Sequence, residues 1–312
     1  MKAIQVRAYG GPEVLSYTEV SAPSPGPGQI LVALKAIGVN PVDVYLHTGT
    51  YTRKIPLPYV PGSDAAGVVE AAGAGAAFQP GERVYVNGAV GGVYAEKAVV
   101  ETRRAFALPA ALSFEQGAAI GVPFATAHRA LFHSGRAVRG ETVLIHGASG
   151  GVGVAAVQLA RAAGLEVVGT AGGPDGVAFL KTLGVSRALD HRAPDYLDGL
   201  SPDLIIEMLA NQNLAEDLRI AAFRGRIVIV GSRGPLTLDP RATMTKDLTV
   251  RGMSLFNMTD PERAALHADL AQGFASGALK PAVGQKFPLA DAAKAHAAVM
   301  ASGARGKIVL LP

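Results

Sequence analysis

The feature that most narrows the possible folds is the regular recurrence of β-rich segments through the middle of the chain. They begin near Val143 (VLIH), Leu165 (LEVVGT), Arg187 (RALD), Leu204 (LIIEM), Arg226 (RIVIVGS) and Thr249 (TVRGMSL), each bounded by Gly, Pro or Asp. The intervals are about 22, 22, 17, 22 and 23 residues, the length of a short parallel strand plus a crossover helix. About six such units predict a doubly wound parallel sheet. A length of 312 residues leaves room for a second domain, and outside the repeat the texture changes. Residues 1 to about 118 read as short strands split by turns (QILVALKAIGV, DAAGVVEAAG, ERVYVNG, GVYAEKAVV), with Ser21–Gly28 as a surface loop. After about Thr259 come helices over Glu262–Ser276 and Leu289–Ser302 and a strand over Lys307–Leu311 that can return to complete the first domain. The expectation is an α/β protein, with a β-rich domain at 1–118 plus 260–312 and a doubly wound domain at 119–259.

Composition removes several chemistries. The chain has no cysteine, which excludes disulfides, thiol catalysis, iron–sulfur clusters and Cys-ligated zinc. Lys and Arg exceed Asp and Glu by 29 to 25, and charged residues make up only 17%. No long basic run tracks a phosphate backbone, which argues against nucleic-acid binding. Met1–Tyr9 alternates charged and apolar residues (Lys2, Ile4, Val6, Arg7) as a strand does, with no secretory apolar core. The most apolar window, Gly150–Leu165, is interrupted by Gln158 and Arg161 and does not read as a membrane span. A soluble, cytoplasmic protein is expected.

Between the first strand of the repeat and the helix beginning near Val152 lies Gly147-Ala148-Ser149-Gly150-Gly151-Val152-Gly153. Small residues there let backbone N–H groups approach a pyrophosphate, and the helix N-terminus adds about half a positive charge. The strand before, the helix after and the further strand–helix units give this glycine pattern the context of a dinucleotide site. In an NAD site an acidic side chain at the end of the second strand receives the ribose 2′-hydroxyl. Here that strand runs into Ala171-Gly172-Gly173, and the first carboxylate is Asp175. A small neutral loop admits a 2′-phosphate, which favours NADP. No Lys or Arg stands beside these glycines in sequence; the nearest cationic candidates are His191 and Arg192 after the third strand and, more remotely, Lys307.

Five segments carry a resemblance to a known family: Gly38-Val39-Asn40-Pro41-Val42-Asp43-Val44-Tyr45, Pro61-Gly62-Ser63-Asp64, the run His146–Gly153, Glu207-Met208-Leu209-Ala210-Asn211, and Gly231-Ser232-Arg233-Gly234. Over essentially the whole chain the sequence resembles the quinone oxidoreductase group, zeta-crystallin included, of the medium-chain dehydrogenase/reductase superfamily. That resemblance implies a GroES-like β-rich catalytic domain beside a Rossmann domain, and NADPH as cofactor. It also implies cofactor contacts at Tyr45, at Ser149, Gly150, Gly151 and Val152, at Gly172, His191 and Asn213, along Val230, Gly231, Ser232 and Arg233, and along Met253, Ser254 and Leu255. The sequence departs from the group at His128, where a Tyr is usual.

In the zinc alcohol dehydrogenases of the same superfamily, the first Cys ligand corresponds to Asn40 and the Gly-His-Glu motif to Gly62-Ser63-Asp64, so both ligands are gone. The seven His residues show no i, i+4 pairing, and no metal site is expected. Without metal, thiol or flavin motif, the chemistry falls to the nicotinamide, with the protein supplying position and electrostatics. By resemblance, Asn40, Tyr45 and Tyr51 lie in the segment that closes over the cofactor and are the catalytic candidates, orienting an acceptor oxygen by hydrogen bonds. The expected activity is zinc-independent reduction of quinones by NADPH. Two alternatives stay open: an enone or enoyl-thioester reductase on the same scaffold, and a noncatalytic NADPH- or RNA-binding crystallin-like protein. Edge strands of such sheets often pair, so a homodimer or homotetramer is expected.

Overall fold

The computed structural model describes residues 1–312, and the chain divides into two compact units, 1–122 with 281–312 and 123–280. The second unit contains the repeat. Its strands are β8 (Thr142–Ile145), β9 (Glu166–Ala171), β10 (Arg187–Asp190), β11 (Leu204–Glu207), β12 (Arg226–Ile229) and β13 (Thr249–Gly252). Every strand begins within a residue of its expected start. All pairings are parallel, and the order is β10-β9-β8-β11-β12-β13. Order therefore reverses between β8 and β11, which creates the crevice at the carboxyl ends where such sheets take ligands. Leu144, Val168, Ile205 and Ile227 from the sheet pack with Leu214 and Leu218 from helix Ala210–Ile220.

The first unit is built from β1 (Lys2–Val6), β2 (Leu15–Glu19), β3 (Gln29–Gly38), β4 (Asp64–Ala72), β5 (Arg83–Asn87), β6 (Lys97–Glu101) and β7 (Ala105–Ala107) before residue 122, and β14 (Val283–Pro288) and β15 (Lys307–Leu311) after residue 281. Ten-residue β3 is its backbone: irregularities at Leu31/Val32 and Leu34/Ala36 bend it, so it pairs with β4 along its length, β6 over its first half and β15 at its end. Its inward residues Ile30, Val32, Leu34 and Ile37 share a core with Val84, Val86, Tyr94, Ile308 and Leu310.

The expected boundaries at 118/119 and 259/260 are corrected to 122/123 and 280/281. The second shift moves helix Asp260–Ala275 into the parallel-sheet unit, because it packs on the segment that follows Val122. Phe274 meets Phe124 edge to face at 5.3 Å, Arg129 Nη1 reaches Glu262 Oε2 at 3.1 Å, and His128 Nε2 lies 3.4 Å from Asp269 Oδ2. Gln158 then exchanges two hydrogen bonds with the backbone of Lys280, at 2.8 and 2.7 Å. The returning strand Lys307–Leu311 completes the first unit as expected, between β3 and β14.

Candidate active site

In the parallel-sheet unit, every expected cofactor residue except Asn213 sits just beyond the carboxyl end of a strand or at the helix start that follows it. After β8 the chain turns at Gly147, whose φ of +57° suits glycine. The turn is tied to β9 by Ala148 N–H to Thr170 O at 2.8 Å and Gly147 N–H to Thr170 Oγ1 at 3.2 Å. Gly150 caps helix Gly151–Ala162 from an extended conformation, which leaves its first N–H groups without intrahelical partners. Two glycines here face different surroundings. A Cβ at Gly150 would meet nothing nearer than Gly147 O at 3.5 Å, whereas one at Gly153 would lie 2.3 Å from Gly147 O and 2.5 Å from Ala148 Cα. Gly153 thus lets the helix close on the turn itself, and Gly150 leaves the space beside the helix start open.

After β9, the Gly172-Gly173 loop is not bare. A Cβ on Gly172 would lie 3.0 Å from His191 Nε2 and 3.2 Å from Arg192 Nη2, and one on Gly173 would lie 3.0 Å from Arg192 Nη1. The guanidinium that sequence placed only after the third strand is folded back over the glycines. Asp190 ties the two loops together at the backbone: its Oδ1 accepts from Gly173 N at 2.9 Å and Arg192 N at 3.0 Å, and those two backbone donors, Gly173 first, lower its pKa. The carboxylate nearest the expected ribose end is therefore already committed to backbone N–H groups. The third expected phosphate candidate, Lys307, is corrected: it is buried in the other unit and paired with Asp64 at 2.9 Å.

After β11, Glu207 is fully buried and accepts from Leu209 N and, at 3.2 Å, from Asn213 Nδ2, so the Asn213 amide faces this carboxyl group. Beside it, His146 Nε2 lies 2.8 Å from Asp217 Oδ1 and 3.5 Å from Glu207 Oε2. Burial pushes the Glu207 and Asp217 carboxyls up to about 7 and lowers the His146 pKa. No sequence reasoning above identified this group. After β12, Gly231 passes so close to Met208 that a Cβ would lie 2.6 Å from its carbonyl oxygen. Ser232 Oγ and Arg233 N then converge on Asn211 Oδ1, at 3.4 and 2.8 Å. Beyond β13, Met253 N donates to Ile229 O at 3.0 Å, and Ser254 starts a short 3₁₀ turn.

In the β-rich unit, Asn40 and Pro41 open helix Pro41–His47. The turn that follows it brings the Tyr51 N–H to the Tyr45 carbonyl at 3.1 Å, so both half-buried tyrosines belong to one local structure. Asn40 is all but buried. Its Nδ2 donates to Asp64 Oδ2 at 2.9 Å, its Oδ1 accepts from Lys307 Nζ, and its backbone N–H donates to Asp43 Oδ2 at 2.9 Å. Tyr94 OH also donates to Asp43 Oδ2, at 3.2 Å, and in turn accepts from His296 Nε2 at 3.0 Å. Burial raises the Asp43 carboxyl to about 7 against the opposing pull of the Asn40 N–H and Lys307, and it holds His296 neutral, at about 3. Asp64, Lys307, Tyr94 and His296 were missed as partners because they lie far from Asn40 in sequence.

Residues 26–110 match the alcohol dehydrogenase GroES-like domain and residues 151–271 the zinc-binding dehydrogenase domain. The chain is 46% identical to quinone oxidoreductase of Homo sapiens, over 100% of this chain and 98% of the human one. The Escherichia coli quinone oxidoreductase structure in complex with NADPH aligns with a TM-score of 0.91 at 30% identity, over 100% of both chains. An NAD-dependent alcohol dehydrogenase structure aligns at 0.92 and 31%, also over 100% of both, so architecture alone does not choose between the two nicotinamide cofactors. With both domains matched in order and nearly half its residues shared with the human protein, this chain belongs to the quinone oxidoreductases of the medium-chain dehydrogenase/reductase superfamily.

Proposed function

We propose that this protein reduces quinones with NADPH and does so without zinc. The observation that carries the reading is the edge of the parallel sheet. An unobstructed glycine helix start lies at one strand end, and a guanidinium lies over the Gly172-Gly173 loop at the next, as a pyrophosphate and a 2′-phosphate require. When bound, NADPH supplies hydride to an electron-poor acceptor. The chain's own residues then have three tasks. The N–H groups of the Ser149–Val152 turn hold the pyrophosphate, Arg192 and His191 select the 2′-phosphate, and Asn40 with Tyr45 and Tyr51 orients the acceptor oxygen. Val230–Arg233 and Met253–Leu255, at the ends of β12 and β13, border the nicotinamide half.

Zinc independence is supported by the occupant of the polar cluster. Where zinc relatives place ligands, Asn40 is bound by the buried Lys307 ammonium, which repels a second cation. No helix is long and apolar enough to cross a membrane, and a cytoplasmic setting fits a chain without cysteine. The exposed outer strand β13, with Val250 partly in solvent, supports assembly into a homodimer or homotetramer through that edge. The test is aerobic NADPH consumption with a panel of quinones and a conjugated enone. Consumption with quinones is expected; turnover of the enone alone would replace this reading with the alkene-reductase one.

A further inference from the structure

We infer that Lys307 and Asp64 are positioning residues that fix the Asn40 carboxamide in one orientation, with its second Nδ2–H as the donor offered to the acceptor's carbonyl oxygen. The inference rests on the quinone-reductase reading above and assigns the part of the site that reading leaves open.

A carboxamide presents two nearly isosteric ends and is free to turn over unless its partners distinguish them. Here they do. The Lys307 ammonium can only donate and meets Oδ1; the Asp64 carboxylate can only accept and meets Nδ2 at 2.9 Å. Lys307 Nζ and Asp64 Oδ2 are themselves paired at 2.9 Å, and the remaining carboxylate oxygen takes the Val122 N–H at 2.7 Å. The three side chains come from β15, β4 and the turn before helix Pro41–His47, and each is at most 3% exposed. A reversed amide would set N–H against ammonium and carbonyl against carboxylate, both repulsive at low dielectric. Of the Asn40 amide hydrogens, one is taken by Asp64 and the other remains. The ammonium on Oδ1 also draws electron density from nitrogen, which strengthens that remaining N–H as a donor to an oxygen gaining negative charge. The device tolerates burial of two charges because they neutralise each other, and its use is directional.

The decisive variant replaces both charges with amides, Asp64→Asn with Lys307→Gln. It keeps polarity and approximate volume but lets each group donate or accept, so the orientation of Asn40 is no longer enforced. The full-length variant should bind NADPH within about twofold of wild type, by fluorescence titration, while kcat with 1,4-benzoquinone falls about tenfold or more. In an Asn40→Ala background, the same pair of changes should alter kcat by less than about twofold, since nothing remains to position. Wild-type kcat in the amide pair would overturn the inference, and so would an undiminished loss in the Asn40→Ala background. If the amide pair does not fold, the apolar pair Asp64→Leu with Lys307→Met, which removes both orienting charges, is assayed below its melting temperature and judged by the same two results. A wild-type protein that reduces no quinone refutes the functional reading instead.

Discussion

Gly150→Ala and Gly153→Ala, three residues apart in one turn, should fail in opposite ways. At Gly153 the new methyl would lie 2.3 Å from Gly147 O and 2.5 Å from Ala148 Cα, both backbone, so no side chain can swing aside. Overpacking of this kind costs about 1–3 kcal/mol. The upper end applies here, and a better helix former returns about 1 kcal/mol. The net loss of about 2 kcal/mol corresponds to about 4–8 °C in melting temperature for a unit of this size. At Gly150 the methyl meets nothing closer than 3.5 Å, so only the poorer helix cap is felt, at about 0.5–1 kcal/mol. The space it fills is the one the proposed function assigns to the pyrophosphate. With NADPH at about 100 times Kd, ligand linkage stabilises wild type by about 2.7 kcal/mol; a tenfold affinity loss halves this to about 1.4. Melting curves for the three proteins, with and without NADPH, measure all these quantities. A Gly150→Ala protein that gains the full NADPH shift would remove the turn from the cofactor site, and a Gly153→Ala protein that melts with wild type would refute the packing argument.

Arg192→Ala should weaken NADPH by about 10–100-fold, the value of a charge-assisted contact, and leave NADH nearly unchanged in parallel titrations; equal losses would assign the 2′-phosphate elsewhere. Gly172→Asp should act more strongly than charge repulsion alone, because its carboxylate would be formed within reach of Arg192 and occupy it. The Asp217 carboxyl is raised from 3.8 to about 7 in the folded chain, so the folded state holds its proton more tightly, and stability present at low pH is lost as pH rises from about 4 through about 7. Asp217→Asn lacks that loss, so its melting temperature should gain on wild type between about pH 4 and about pH 7; a pH-independent difference would sink the assignment. Purified protein should carry no stoichiometric zinc, and chelator should leave quinone reduction unchanged; metal analysis near one zinc per chain that persists in a His146→Gln variant, which breaks the His146, Glu207 and Asp217 group, would overturn the reading of the Lys307 cluster.

The parts legible in the sequence are those set by local pattern. Runs such as Val143–His146 and Arg226–Ser232 announce buried parallel strands because both faces are apolar, and the turn Gly147–Gly153 announces itself because only small residues permit its backbone geometry. What stayed hidden depends on distant partners. Arg192 is separated by about twenty residues from the glycines it covers, and the loops that carry them are brought together by the Asp190 bonds to Gly173 N and Arg192 N. Helix Asp260–Ala275 has a period that fits either unit, and only its contacts with Phe124 and Arg129 assign it. Lys307 read as a remote candidate for the 2′-phosphate because a lone Lys in a strand is usually free to meet an anion. Its carboxylate lies 243 positions away, beyond the reach of any pattern in a single sequence.

The chain's order of synthesis matters because of β15. Residues 123–280 are contiguous and can complete their sheet before β15 has been made. The β-rich unit cannot: β15 lies between β3 and β14, and Ile308 and Leu310 are part of its core. A nascent chain therefore carries β3, with its end unpaired, for most of its translation. Only β15 closes the unit, and it also brings Lys307 to Asp64 and Asn40. Truncation before Lys307, or a premature stop there, would release a protein with a formed nucleotide-binding half and an open β half exposing apolar strand edges, a species suited to capture by chaperones and to aggregation.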